Sequence, residues 1–283
     1  MKRYFVRFFV FFITLALLFG IFHAGSYICC LAEEIHSEYQ LPIIMYHHIL
    51  KDEARHGDFI ISPDDLEKDL KYIKKEGFTT ITTKDLIEYK EKGTPLPQKP
   101  IMLTFDDGHL SYQEYVVPLL KKYNMKAIVS VVGSYTNDYT KNPDKSVSYA
   151  YLSWDDIKKL SESSHTEIAN HTYDMHKFAE RKGCAKIKGE SSEHYKKIFS
   201  DDLNKMQNLI ADYTKTPAVC FTYPFGCYCE DAEDEIKKSG FKVSLTCNEG
   251  INNISRDSSL FKLKRFNRPH KKTVEDILKG VLR

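Results

Sequence analysis

The chain of 283 residues has almost no net charge: 41 Lys and Arg stand against 39 Asp and Glu, a formal +2. Three of the basic residues (Lys2, Arg3 and Arg7) fall in the first 32 positions, which hold no acid; setting them aside leaves 38 against 39, or −1. A nucleic-acid surface needs clustered Lys and Arg. The balance therefore argues against a nucleic-acid partner and favours a neutral polymer over a polyanion. The sequence also lacks a CxxC pair, which removes the usual zinc–thiolate site. It has no internal repeat, which removes solenoids and propellers. No low-complexity linker interrupts residues 41–283.

Cysteines are few and irregular. Of seven, Cys29 and Cys30 lie near the N-terminus, and Cys184, Cys220, Cys227, Cys229 and Cys247 follow. An odd number leaves at least one free thiol, and Cys227 and Cys229 are too close to pair comfortably. One long uncharged run is present, from Phe8 to Ala32, behind the basic flank. Its core, FFVFFITLALLFGIF, is long for the apolar region of a signal peptide. The whole run could cross a bilayer as a helix of about 20 residues. The basic flank is expected to stay in the cytoplasm, which places the rest outside. Residues 1–32 are thus expected to be a signal peptide or an N-terminal membrane anchor, which holds the protein to the membrane if uncleaved. Small-residue cleavage sites lie after Ser26 and after Ala32. Residues 33–40 read as a polar linker and residues 41–283 as the folded domain.

Within that domain strand-like and helix-like segments alternate. Short apolar or β-branched runs predict strands over 41–46, 78–82, 101–105, 127–132, 166–170, 218–223, 241–246 and 263–266. Between them, Ser62-Pro63-Asp64-Asp65 has the chemistry of a helix start: a Ser cap, Pro in the first turn, then acids at the positive helix end. Leu66, Leu70 and Ile73 continue it as one apolar stripe, and Gly77 stops it. Helices over 111–123, 154–163, 192–213, 230–239 and 273–282 follow by the same reasoning. Regular β–α alternation implies a parallel sheet with helices outside. About eight strands in ~240 residues suit a closed or nearly closed barrel, with a doubly wound open sheet as the alternative. Residues 134–150, polar and Tyr-rich, and residues 177–191, basic and aperiodic, read as loops on the face where barrel active sites form. They are candidates for substrate binding or plain solvated loops.

The chemistry collects at strand ends. Ile101–Phe105 runs into Asp106-Asp107-Gly108. Neighbouring strand residues point to opposite sides, but a turn at Gly108 can bring both carboxylates to one pocket. There one can bind a cation while the other acts as a base. DDG equally suits a helix cap or a simple turn. After another strand come His171 and His176. Five residues apart on a helix, they would diverge; at a strand end followed by a turn they can converge. Two imidazoles and a carboxylate form a three-ligand metal set that leaves room for water.

Taken together these segments resemble the polysaccharide deacetylases, carbohydrate esterases with a NodB-like homology domain. Thr104-Phe105-Asp106-Asp107-Gly108 is similar to the family's first motif. His171-Thr172 with His176 is similar to the second, and Phe221-Thr222-Tyr223-Pro224-Phe225-Gly226 to the third. The resemblance covers roughly residues 41–270. It implies an irregular (β/α) barrel of seven to eight parallel strands, with residues 41–283 as the catalytic domain. It further implies that Asp107, His171 and His176 bind a divalent metal, usually zinc, and that Asp106 is the base acting on a metal-bound water. Tyr223, Pro224 and Phe225 would border the substrate, with the Phe225 N–H donating to the oxyanion.

Two departures need answers. The third motif often begins with an Arg that tethers the base, but Thr222 and Tyr223 stand here; Arg265 and Arg268 are candidate tethers. The late Leu-x-His motif that supplies an acid is not evident, and His270 sits in a polar context. Pro42-Ile-Ile-Met-Tyr46-His47-His48 resembles that motif moved to the front, as in the branch similar to poly-N-acetylglucosamine deacetylases. On that resemblance His47 would protonate the leaving amine and His48 would be structural. The expected activity is removal of N-acetyl groups from N-acetylglucosamine units of an extracellular or cell-wall polysaccharide. A peptidoglycan deacetylase and an acetyl-xylan esterase are rival readings. So is a catalytically impaired carbohydrate-binding pseudoenzyme, which the missing Arg keeps open although no expected metal ligand or base is lost.

Overall fold

A computed structural model describes residues 19–20 and 38–281. Nearly all of the expected signal or anchor segment, and most of the expected linker, lie outside the described residues. Among the described residues no helix is long and apolar enough to cross a membrane. The strands are β1 (Tyr39–Leu41), β2 (Ile43–Tyr46), β3 (His48–Ile49), β4 (Ile60–Ile61), β5 (Thr79–Thr80), β6 (Pro100–Phe105), β7 (Ala127–Val131), β8 (Thr166–Asn170), β9 (Cys220–Thr222), β10 (Val243–Leu245), β11 (Asn252–Ile254) and β12 (Phe266–Asn267). The helices are α1 (Pro63–Lys75), α2 (Thr83–Lys92), α3 (Val117–Tyr123), α4 (Gly133–Lys141), α5 (Trp154–Ser161), α6 (Ser192–Thr214), α7 (Glu230–Lys238) and α8 (Val274–Val281).

Seven strands run in the order β10-β9-β8-β7-β6-β2-β12, and β5 pairs beside β6. All these pairings are parallel. The sheet curls into the half-barrel expected for an irregular (β/α) barrel. Parallel sheets are stable when both faces are covered, and every residue of β6 is buried. Successive residues alternate between two cores. Ile44, Leu103, Val129 and Phe221 pack with α1, α3, α5, α6, α7 and α8. Ile43, Met102, Ile128 and Cys220 pack with Leu86 and Tyr89 of α2 and with Ile254 of β11.

Several boundaries differ from the sequence reading for local reasons. Strand 41–46 is two strands broken at Pro42. The first begins at Tyr39, inside the expected linker, and pairs antiparallel with β11. Helix 111–123 opens with a π-helical turn over Tyr112–Val116 before α3. Residues 134–150 are not wholly loop, because α4 occupies their first half. Helix α2 was not anticipated. A reciprocal Thr82–Asp85 capping box starts it and Gly93 at φ 75 ends it, but it carries only Leu86 and Tyr89 as buried apolar residues over ten positions. The start of α1 is as expected, with the Ser62 hydroxyl accepting from the Asp65 N–H at 3.0 Å.

Register aligns the strand ends. Tyr46 pairs with Phe105, so His47 and Asp106 leave the sheet side by side. Asn170 pairs with both Val131 and Phe221, which sets His171 beside Thr222. The same end of β2 is also fixed by charge. Arg268 donates through Nε and Nη2 to Asp69 of α1 at 2.7 and 3.2 Å, with both side chains buried. Asp69 also accepts from the Tyr46 hydroxyl and the Val274 N–H, each at 3.2 Å. Removing one partner of such a pair strands a charge in the core. Arg268→Met should lower the unfolding free energy by about 3–5 kcal/mol, and Asp69→Leu added to it should restore a large part. Chemical denaturation of the two variants checks this; equal losses in both would refute the account.

Candidate active site and metal centre

The β6 strand delivers Asp106 in extended backbone, and the chain then turns left-handed at Asp107 (φ 73) and Gly108 (φ 75). The turn expected at Gly108 thus begins one residue earlier. A Cβ on Gly108 would lie 3.0 Å from Val131 Cγ1, so both conformation and space call for glycine there. The β8 end bends similarly at Thr172 (φ 74), a conformation a β-branched residue adopts only when its surroundings impose it. The Thr172 N–H donates to Asn170 Oδ1 at 2.8 Å, and its carbonyl accepts from Gly133 at 3.0 Å. This bend lets His171 and His176 converge.

Three groups meet there. His171 Nε2 and His176 Nε2 lie 3.5 and 3.1 Å from Asp107 Oδ1, and the ligand atoms of the trio are all within 4.8 Å of one another. His171 Nδ1 is 2.7 Å from the Thr222 carbonyl oxygen. A carbonyl only accepts, so Nδ1 carries the proton and Nε2 presents its lone pair. His176 Nδ1 is in turn 3.3 Å from the Tyr135 hydroxyl. Such second partners fix ring orientation in metal sites. The buried Asp107 Oδ1 has no hydrogen-bond donor. An orphan carboxylate oxygen facing imidazole lone pairs is repulsive unless a cation sits among them. The trio therefore fits a divalent ion, and the Asp/His/His chemistry suits zinc. His176 is lowered by burial, and the Asp107 carboxylate more than reverses this.

Asp106 is tied differently. Arg265, fully buried, donates from Nη1 and Nη2 to its two oxygens, each at 2.8 Å. Arg265 also donates to the Thr246 carbonyl at 2.7 Å and to the Thr104 hydroxyl at 3.1 Å. Burial would raise the Asp106 carboxyl; the guanidinium outweighs it and holds the group ionised. Of the two candidate tethers, Arg265 reaches the base, whereas Arg268 is committed to Asp69. His47 lies partly exposed beside these groups, its ring 4.8 Å from that of Phe59, its Nδ1 without a partner. Burial lowers it against the pull of Asp107 and Asp106. His48 is held on both ring nitrogens, by the Ser111 hydroxyl at 2.8 Å and the Ser148 carbonyl at 3.1 Å. Burial, with His109 nearby, pushes it down to about 4. His270 lies elsewhere, against Asp65 at 3.0 Å.

His47, His48, Asp106, Asp107, His171 and His176 line one cleft of about 670 Å³ with Arg55, Phe59, His109, Phe178, Lys182, Phe225 and Cys247. Of the expected third-motif residues only Phe225 reaches it, at φ 55 and with its ring 4.5 Å from His176. Pro224 is buried in the turn. Tyr223 is fully buried against Phe221 and Tyr228, and its N–H is spent on the Leu245 carbonyl at 3.0 Å. It is a core residue: its ring falls on the same side as that of Phe221, in the helix-facing core, and the trio is met instead by the Thr222 carbonyl. His109 was missed by sequence reasoning. Its Nε2 is 3.6 Å from Asp107 Oδ2, and its ring is stacked between His48 and Tyr151 at 4.0 and 4.6 Å. A single His after DDG has no spacing partner to mark it. All five described cysteines are free thiols.

Asp202 of α6 props the metal loop from beneath, accepting from the Tyr173 and Asp174 N–H groups at 2.8 Å each. Burial pushes its carboxyl up to about 6. A raised folded value means the native state binds that proton more tightly than the unfolded chain. Its contribution to stability is full below the unfolded carboxylate value and is lost as pH rises toward about 6. In chelator-treated protein, the wild-type melting midpoint should therefore fall relative to Asp202→Asn between pH 4 and 6 and level off above. The same substitution should weaken zinc affinity about tenfold. Parallel melting curves, together with unchanged metal affinity, would show that Asp202 does not support the loop.

A sequence profile described as Polysaccharide deacetylase matches residues 93–244. The chain is 24% identical over 242 residues to a poly-β-1,6-N-acetyl-D-glucosamine N-deacetylase of Escherichia coli (strain K12), covering 78% of this chain but 36% of that protein. It is 25% identical over 193 residues to the protein of that name from Staphylococcus aureus (strain MRSA252), covering 68% of this chain and 62% of that one. The chain thus spans about a third of the E. coli relative's length. A de-N-acetylase from Aggregatibacter actinomycetemcomitans superposes with a TM-score of 0.75 at 20% identity, over 86% of this chain and all of that one; this likeness speaks for the fold alone.

Proposed function

The chain belongs to the polysaccharide deacetylase family, and we propose that it is a divalent-metal-dependent hydrolase that removes N-acetyl groups from N-acetylglucosamine units of a polysaccharide outside the cell. The observation that carries this reading is one cleft in which a base tied to arginine, a free imidazole and an Asp/His/His trio face each other. Asp107, His171 and His176 would hold the cation, with zinc the ion the donor set suits. When bound, the ion supplies Lewis acidity toward an acyl oxygen and toward water.

The chain's own residues do the rest. Asp106, ionised by Arg265, accepts the proton of the attacking water. His47, on the neighbouring strand, gives a proton to the amine as it leaves. Phe225 and Phe59 border the sugar, and burial at the cleft floor strengthens each polar contact. Arg265, which donates to both oxygens of Asp106, takes the place of the absent third-motif Arg.

Acetate release from N-acetylglucosamine oligomers and from peptidoglycan, with chelator and with added zinc, tests the reading. Metal-loaded protein should release acetate and chelated protein should not; no release from any glycan by loaded protein ends the proposal. His47→Ala should lose roughly 10²-fold or more in turnover while retaining the metal, and full activity in that variant would remove His47 from the acid role. Arg265→Gln removes the cation that offsets burial of Asp106, so that carboxyl titrates higher. Because the base works only when ionised, the acid limb of kcat/KM should move to higher pH. An acid limb that stays in place would show that Asp106 is not the titrating base.

A further inference from the structure

The charge of the cleft does not follow the charge of the chain. Among the described residues, the carboxylates lining the cleft are Asp106 and Asp107. Asp106 is matched by Arg265, and on the reading above Asp107 faces a divalent cation. Two further cations, Arg55 and Lys182, line the same cleft, and neither has a carboxylate within ion-pair distance among the described residues. Other basic residues of the Lys182 loop contrast with this: Lys177 pairs with Asp174 at 2.6 Å, Arg181 with Glu190 at 2.6 Å and Lys186 with Asp231 at 3.0 Å.

Both cations are held in place. Arg55 Nη1 donates to the Ser148 carbonyl at 2.6 Å, the same oxygen that accepts from His48. The other guanidinium N–H groups of Arg55, which lines the cleft, have no hydrogen-bond partner among the described residues. Lys182 Nζ sits 4.5 Å above the ring of Phe178, and the two residues form an antiparallel bridge. Gly183 then turns left-handed (φ 53) so closely over the third-motif turn that a Cβ there would lie 2.5 Å from the Pro224 carbonyl oxygen. The loop is thereby fixed to the turn that carries Phe225. Exposed Phe59 and Phe178 lie beside these cations, an arrangement that suits a sugar face next to an oxyanion.

We propose that Arg55 and Lys182 each offer an anion contact at this cleft, and that the natural polymer carries carboxylate or phosphate groups close to the acetamide that reacts. The proposal rests on the deacetylase reading for its substrate and sharpens it: the chain as a whole is neutral, but the surface that meets the polymer is not.

The test compares one N-acetylglucosamine oligomer in four forms: unsubstituted, carrying neutral butyryl esters, carrying succinyl half-esters, and carrying phosphomonoesters. Binding to zinc-loaded His47→Ala protein is measured by calorimetry, and acetate release by zinc-loaded wild-type protein. Each anionic form should bind about fivefold more tightly than both neutral forms, with the gap closing as salt is raised. The Arg55→Gln/Lys182→Gln double variant should abolish the gap while keeping the wild-type melting midpoint. A preference for only one arm would assign the anion as carboxylate or phosphate. Equal binding of neutral and anionic forms, or a gap that survives the double variant, overturns the anion contacts. Binding that discriminates without acetate release from any form leaves the anion contacts standing and overturns the deacetylase reading instead.

Discussion

The site depends on a buried charge made tolerable. Asp106 sits at the end of a strand with both faces covered, where an unpaired carboxylate would protonate or disrupt the core. Arg265 answers with two parallel donors and is itself satisfied by the Thr246 carbonyl and the Thr104 hydroxyl. Each group is fixed by the other, so the base points into the cleft without freedom to turn. The neighbouring β2 end, with His47, inherits its position from the same register. The Arg268–Asp69 pair secures that region to α1 by a second arginine three residues on.

Much of this was legible in the sequence because it is local. An apolar run ending in two carboxylates, and two histidines after a strand, are patterns of adjacency, and parallel strands bring such ends to one face. The β–α alternation gave the barrel for the same reason. What escaped was set by partners distant in sequence. Arg265 could be named only together with Arg268, since nothing within LKRFNRP distinguishes the guanidinium that meets Asp106 from the one that meets Asp69. His109 was invisible because its role comes from stacking on His48 and Tyr151. Tyr223 was misplaced because adjacency to Pro224 and Phe225 suggested exposure, whereas alternation in β9 sends its ring into the core. Helix α2 was missed because its signal is a cap and a terminal glycine rather than an apolar stripe.

Backbone conformation explains why adjacency became convergence. Asp107, Thr172 and Phe225, one from each motif, all take left-handed conformations that cost side-chain-bearing residues of order 1–3 kcal/mol apiece. Each is the point where a strand gives way to a sharp turn. The surrounding sheet enforces these bends, and the bends aim the side chains.

The order of the chain has its own consequence. Arg265 lies 159 residues beyond Asp106, yet β12, which follows Arg265, docks directly beside β2. During synthesis the three motifs emerge while Asp106 still lacks its arginine. A partly made chain therefore holds every residue of the metal trio but an uncompensated Asp106, and cannot settle into the finished site. The strand that completes the sheet edge is thus tied to the arginine that balances the buried carboxylate, and neither is in place without the other.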